Sequence, residues 1–160
     1  MSQQVQPVQL VHPDGKRRVD FTWNGDRFIH QLVCGDSVVE SFEEAEELPW
    51  PASPPLQQLS VEVINDQEVA LGVGCAGTSH WSLSVQPIEN GFHFEWACRT
   101  KVSPERLLST YQIRGTSEPA WNLEPVGSST RTDGNGVTEL KPTASLSEAG
   151  TFQWAYTATA

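Results

Sequence analysis

Short runs in which apolar and polar residues alternate recur along the whole chain. In residues 91–99, GFHFEWACR, every second residue from Phe92 onward is apolar, and polar residues such as His93 and Glu95 stand between them. Successive side chains of a strand point to opposite faces of the sheet, so this run predicts a strand with one face in the core. The same alternation is found at residues 19–23, 59–63, 81–85 and 152–156.

Turn sequences separate these runs, among them NGD at 24–26, ENG at 89–91 and DGNG at 133–136. Asn-Gly and Asp-Gly pairs tolerate the backbone angles of tight hairpin turns. Strands are therefore expected near residues 5–12, 17–24, 27–33, 37–42, 57–64, 68–75, 80–87, 92–102, 108–114, 136–142 and 151–159. Ten or so mostly antiparallel strands with little helix predict an all-β sandwich or flattened barrel, formed as a single domain over residues 1–160.

A few segments do not follow this pattern of short strands separated by turns. Residues 41–50 and 103–109 are compatible with one or two helical turns each. Residues 43–56 combine an acidic run with four prolines, and residues 115–136 are rich in Gly, Ser and Thr. Long loops of this kind are often functional. The glycines of GVGCAG (72–77) indicate a bulge or a close approach by another backbone segment.

The tryptophans divide into two groups. Four share the phase of other large apolar residues, which places them in the core: Trp23, Trp81, Trp96 and Trp154. Trp50 and Trp121 stand instead in proline-flanked loops, LPWP and EPAWNLEP. A loop tryptophan either stacks on a ligand or partner, or fills the open end of a sandwich, and both interpretations remain open here.

Composition narrows the classes of partner. With 20 acidic and 10 basic residues the net charge is −10, which argues against nucleic acid or an anionic membrane as partner. The N-terminus lacks the apolar run of a signal peptide, and no window is apolar enough to span a bilayer. The cysteines (Cys34, Cys75 and Cys98) form no CxxC pair, so we expect buried, inert thiols and a cytoplasmic protein without a disulfide framework. No histidine spacing indicates a metal site, and no cofactor is expected.

The candidate site lies on the polar face of the strand at 92–102. At about eleven residues this is the longest predicted strand, which favours a central position. His93 and Glu95 are neighbours on that face, about 6–7 Å apart, and are weak candidates for a general acid and base. Arg99 on the same face and His80 at the entrance of the preceding strand are candidate ligand-binding residues, together with Trp50 and Trp121. The alternative is an ordinary solvated surface.

The run FEWACRTKVSPERLLSTYQI (94–113) resembles a strand–turn–strand of mutarotase-like β-sandwich proteins. That resemblance implies carbohydrate binding, but it contains no catalytic motif. Because no nucleophile motif is present either, the leading expectation is a non-catalytic domain that binds a small molecule or a protein. The alternatives are a mutarotase-like carbohydrate-binding protein or sugar isomerase, and a lipocalin-like carrier of a small hydrophobic ligand. Self-association is allowed, but nothing in the sequence decides the oligomeric state.

Overall fold

The computed structural model describes residues 5–44, 48–114 and 121–160. These residues form thirteen strands and no helix, which confirms the predicted all-β class. The strands are β1 (Val8–Val11), β2 (Arg17–Trp23), β3 (Phe28–Cys34), β4 (Ser37–Ser41), β5 (Gln58–Ile64), β6 (Gln67–Ala76), β7 (Ser79–Ile88), β8 (Gly91–Arg99), β9 (Ser109–Arg114), β10 (Asn122–Val126), β11 (Ser129–Gly134), β12 (Val137–Pro142) and β13 (Thr151–Thr159).

The strands form two antiparallel sheets that are not closed into a barrel. The seven-stranded sheet has the order β1-β2-β3-β4-β9-β12-β11, and the six-stranded sheet has the order β10-β13-β8-β7-β6-β5. Strand β8 is interior, as predicted, but it is not the longest, since β6 and β7 each have ten residues and β8 has nine. The sandwich alternative of the predicted fold is therefore the one observed.

Large side chains fill the space between the two sheets. The bulkiest of those that are fully buried are Trp96, Trp154, Tyr111, Tyr156, Phe21, Phe92 and Phe94. Burying an apolar side chain of this size contributes roughly 1.5–3 kcal/mol. Trp81 is buried as predicted, but Trp23 is only half-buried. Trp23 is the last residue of β2, and its ring packs edge-on against Phe28 with centroids 5.2 Å apart.

A chain of hydrogen-bonded polar groups crosses the aromatic core. His30 Nε2 lies 2.7 Å from Tyr111 Oη, which is itself hydrogen-bonded to Tyr156 Oη. Trp96 Nε1 donates to the same Tyr156 oxygen at 2.9 Å. Burial lowers the pKa of His30 to about 3, so the imidazole is neutral. His30 shares its strand phase with Phe28 and Leu32, which predicts a core position, and it is indeed a buried, hydrogen-bonded histidine.

The loop between β4 and β5 carries the chain from one sheet to the other and is largely buried over residues 51–56. Thr110 Oγ1 donates to the Ala52 carbonyl at 2.7 Å. A Cβ added at Gly74 would lie 2.0 Å from the Pro55 carbonyl oxygen. This contact confirms the close backbone approach predicted from the glycines at 72–77.

Three local expectations are wrong. Residues 103–109 form no helical turn, because Leu107 and Leu108 are both buried as the chain enters β9. Residues 41–50 show no helix in their described part, and 45–47 lie outside the described residues. The expected loop at 115–136 contains β10 and β11 in its described part. Strand β10 is a sheet edge, where Pro125 can be accommodated without losing a ladder hydrogen bond.

Two side chains also differ from expectation. His12 precedes the turn sequence PDG at 13–15, a position at which a solvated side chain is expected, yet it is half-buried and its Nε2 donates to the Ile88 carbonyl at 2.7 Å. Cys98 is buried as predicted and Cys34 is partly buried, but Cys75 is exposed. The Cys75 side chain in β6 faces away from the core, so burial does not shield this thiol from reaction.

Candidate functional site on the outer face of the six-stranded sheet

The six-stranded sheet packs one face against the core and exposes the other, here called the outer face. Along β8, Trp96 is 1% exposed on the inner side, whereas Glu95 and Arg99 are exposed on the outer side. The strand pairings align outward residues of β6, β7, β8 and β13 in rows across this face. The rows are Leu71-Ser84-Glu95-Ala155, Val73-Ser82-Ala97-Gln153 and Cys75-His80-Arg99-Thr151.

Two adjoining depressions, of about 670 and about 570 Å³, lie on the outer face. Four residues line both of them, namely Gln58, Val73, Ser82 and Ala97. Together the depressions form one continuous outer groove. It extends across β5 to β13, about 19 Å at the usual strand spacing, and about 13 Å along β8 from Glu95 to Arg99.

Small side chains line the middle of the outer groove. Ser82 and Ser84 on β7 and Ala97 on β8 form its floor, and longer side chains such as Leu71 and Gln153 stand at its sides. Trp96 and Trp81 belong to its lining, but they are 1% and 3% exposed and stand in the inward phase of their strands, so no outward side chain in the described part of the groove is Phe, Tyr or Trp. The surface therefore offers hydroxyl, amide and small apolar groups, but no aromatic platform.

Along β8, charges of opposite sign stand at the two ends of the groove. Glu95 lines the first depression, and His80, Arg99 and Thr151 line the second. His80 and Arg99 are direct partners across β7 and β8, so the structure brings these two predicted residues together. Directly opposite residues have Cβ atoms about 4.5–5.5 Å apart. We call this end, formed by His80, Arg99 and Thr151, the arginine end.

Arg99 differs from every other arginine whose side chain the structure describes. Five of those arginines lie within 4.0 Å of a carboxylate: Arg17, Arg18, Arg27, Arg106 and Arg131. Within the described residues, Arg99 makes no hydrogen bond and no ion pair. In a chain with twice as many acidic as basic residues, this guanidinium has all of its donors available to a ligand.

His93 and Glu95 lie side by side, as their spacing predicted. Their Nε2 and Oε1 atoms are 3.9 Å apart, beyond hydrogen-bond distance. The side chain of Glu95 is 66% exposed, and that of His93 is 20% exposed. Glu95 lines the groove, whereas His93 lies outside its lining. The pair is therefore loosely associated, with Glu95 largely solvated and His93 largely covered.

Trp50 and Trp121 lie away from the outer groove, in the hydrophobic core. The Trp50 ring meets Trp81 edge-on with centroids 6.4 Å apart. Trp121 is 5% exposed, and its Nε1 donates to the Ser37 carbonyl at 3.2 Å. Both positions fit the interpretation in which a loop tryptophan fills the interior of the sandwich.

Sequence reasoning missed the residues that shape the groove, including Ser82, Ser84, Ala97 and Cys75. Cys75 and His80 are cross-strand partners, but no hydrogen bond joins the thiol to the imidazole. The thiol therefore lacks the base contact that activates a cysteine nucleophile. The polar phase of β7, with serines at alternate positions, was the available signal for a small-residue surface.

The buried titratable groups lie outside the groove. One of them is His30, described above. Another is Glu43, whose pKa burial raises to about 8, although the positive charge of Arg27 acts in the opposite direction and lowers it. Across the described residues, no three His, Cys, Asp or Glu side chains are grouped as a metal site would require.

The chain matches no protein-family model, and no curated protein or solved structure is detectably similar to it. The likeness of residues 94–113 to mutarotase-like proteins therefore remains a resemblance of one strand–turn–strand. Among the described residues, no helix is long and apolar enough to cross a membrane.

Proposed function

We propose that this protein is a non-catalytic binding domain that takes an extended segment of a partner polypeptide in the outer groove. The observation that carries the proposal is the groove itself, which is continuous across five strands and has Glu95 and Arg99 at its opposite ends along β8. At about 3.3 Å per residue, about four residues of extended chain span the ~13 Å between Glu95 and Arg99 along β8. The opposite charges would fix the direction of that segment, since complementary charges set register.

The lining chemistry supports a polypeptide over the other ligand classes. Ser82, Ser84 and Gln153 offer donors and acceptors to a peptide backbone, and Leu71 and Val73 offer apolar contacts to its side chains. A sugar-binding face would gain most from an exposed aromatic ring, which the groove lacks. A carrier of a hydrophobic ligand would need an interior cavity, and aromatic side chains fill the described interior.

The proposal is tested by selecting random seven-residue peptides displayed on phage against the protein. Ser82→Trp places a large ring in the middle of both depressions. Gln86→Trp is the matched control, because it lies on the same strand and face but outside the groove lining. Selected peptides should bind the parent and Gln86→Trp alike and lose at least about tenfold in affinity for Ser82→Trp. Peptides that never enrich, or that bind Ser82→Trp normally, would overturn the proposal.

Carbohydrate binding is the second candidate, and the adjacent imidazole and carboxylate of His93 and Glu95 are the observation that favours it. A panel of mono- and oligosaccharides screened by thermal shift tests it. A sugar at 100 times its dissociation constant should add about 2.7 kcal/mol to the free energy of unfolding. If no sugar raises the melting temperature, this second candidate is rejected.

We also propose a reducing compartment such as the cytoplasm. All three cysteines are unpaired, and Cys75 is exposed. An exposed free thiol persists more readily where glutathione keeps thiols reduced.

A further inference from the structure

We propose that the arginine end of the outer groove binds a monoanionic carboxylate of the bound segment. This inference rests on the proposed function, because it names the chemistry by which the groove holds one end of its ligand. The residues that carry it are Arg99, His80 and Thr151, which line the same depression.

The guanidinium of Arg99 is unpaired within the described residues. Arg99 is exposed on a strand interior to the sheet and has no partner among the described residues, whereas the five other arginines with described side chains pair with carboxylates. A guanidinium presents its donors as a planar fork that fits the two oxygens of a carboxylate. An acidic protein that leaves one such fork open inside a groove presents it to a ligand.

The neighbours of Arg99 in its row across the sheet are hydrogen-bond donors. His80 lies directly opposite it on β7, and Thr151 lies directly opposite it on β13. An imidazole N–H and a hydroxyl can each donate to a carboxylate oxygen. The guanidinium is thus flanked on both sides by neutral or cationic donors, and no carboxylate shares its row.

The charge of the arginine end favours a monovalent anion. The arginine end contains one guanidinium and no lysine, and the whole chain carries a net charge of −10. One fixed positive charge balances one negative charge, so a carboxylate fits this end better than dianionic phosphate does. Carboxylate and phosphate are both good arginine ligands in general, so the experiment must separate them.

The carboxylate site can be tested through Cys75, because this exposed thiol lies in the same row as Arg99. Cys75 is next to His80 and about 10 Å from Arg99 at the usual strand spacing. Its alkylation rate is measured by mass spectrometry with iodoacetate, which carries a carboxylate, and with iodoacetamide, which is neutral and nearly isosteric. The ratio of the two rate constants cancels changes in thiol reactivity. It therefore reports the local attraction for a carboxylate.

The ratio is compared in the parent, in Arg99→Gln and in Arg18→Gln at an ionic strength of about 0.01 M, where screening is weak. Arg18→Gln is the matched control, because it changes the net charge equally but removes an arginine of the other sheet. We expect Arg99→Gln to lower the ratio about two- to threefold, as one unit charge at this distance in water should. Arg18→Gln should leave it unchanged. An unchanged ratio in Arg99→Gln, with folding confirmed by thermal unfolding, would overturn the inference.

Competition identifies the anion. Added acetate should slow iodoacetate alkylation in the parent but not in Arg99→Gln, and phosphate at matched ionic strength should slow it no more than chloride does. Competition by phosphate and not by acetate would overturn the monoanion assignment.

The failure of the carboxylate site and the failure of the proposed function give different results. If peptides are enriched but the ratio of rate constants is unchanged in Arg99→Gln, the carboxylate site alone is rejected. If the ratio is lowered but no peptides are enriched, the peptide-binding function is rejected.

Discussion

The two faces of strand β8 differ in almost every property, although they alternate residue by residue. The inner face presents Phe92, Phe94 and Trp96, each at most 1% exposed and packed among the rings of the core. The outer face presents Ala97 and Arg99 in a solvated groove. The inner side chains are packed on all sides, so the stability of the fold depends on them. The outer side chains face solvent, so stability depends on them much less. Substitutions on the two faces should therefore separate stability from binding.

The largest expected effect is on the inner face. Trp96→Ala removes a nearly fully buried ring together with its hydrogen bond to Tyr156. We expect a loss of about 3–5 kcal/mol in the free energy of unfolding, from lost burial and the cavity left behind. Glu95→Ala, one residue earlier on the outer face, should change it by less than about 0.5 kcal/mol. Urea unfolding measures both, and equal losses would mean that the faces do not differ as described.

The next effect concerns the polar chain within the core. Tyr156→Phe keeps the ring but removes the hydroxyl that meets both Trp96 Nε1 and Tyr111 Oη. Two buried polar groups then lose a partner, which should cost about 1–3 kcal/mol. Thr157→Val, on the outer side of the same strand, is the control and should be close to neutral in the same unfolding experiment. If Tyr156→Phe has the same free energy of unfolding as the parent, the Tyr156 hydroxyl does not contribute to stability.

The third effect is on the pH dependence of stability. The pKa of His30 is lowered by burial from 6.5 to about 3, so the folded state binds its proton less readily than the unfolded state. This contribution is fully present above pH 6.5 and is lost as pH falls toward 3, by up to about 1.4 kcal/mol per pH unit. In His30→Gln that dependence should be absent, as measured by urea unfolding from pH 3.5 to 7.

Glu43 acts in the opposite sense over part of this range. Its pKa is raised to about 8, so its contribution is present below pH 4.5 and is lost as pH rises through 8. The comparison is therefore made between His30→Gln and the parent at each pH, which cancels the contribution of Glu43. If the difference between the two proteins does not change with pH, His30 is not the buried neutral group described here.

The smallest stability effect is expected in the groove itself. Ser82→Trp should change the free energy of unfolding by no more than about 0.5 kcal/mol, because Ser82 is exposed and an aromatic residue suits a strand surface. The same substitution should nevertheless lower the affinity for selected peptides at least about tenfold. A large loss of stability in thermal or urea unfolding would show that the groove floor belongs to the structural framework.

Alternation along the chain was sufficient to predict the two faces of β8, because one buried face imposes a period of two. It could not predict the groove, since Ser82, Ala97 and Gln153 meet only through the strand order β7-β8-β13. Strand β13 lies far along the chain from β7, and no local pattern records that pairing. The loop tryptophans were undecided for a related reason, because residues outside a strand have no phase from which to predict burial.

Cys75 shows how local pattern can mislead. In β6 the larger apolar residues Leu71 and Val73 point outward, and Gly72 and Gly74 point inward. The inward positions are small because the buried loop at 51–56 packs directly against them. From the sequence alone, the thiol following VALGVG looks like part of the core.

The most direct test of the central claim, that the outer groove is the binding surface, is the protection of Cys75 by a bound peptide. The alkylation rate of Cys75 with neutral iodoacetamide is measured with and without a saturating peptide selected against the parent protein. Because Cys75 lines the groove, a bound peptide should slow this reaction at least about tenfold. A peptide that binds at saturation and leaves the Cys75 rate unchanged would place the binding surface elsewhere and contradict the claim.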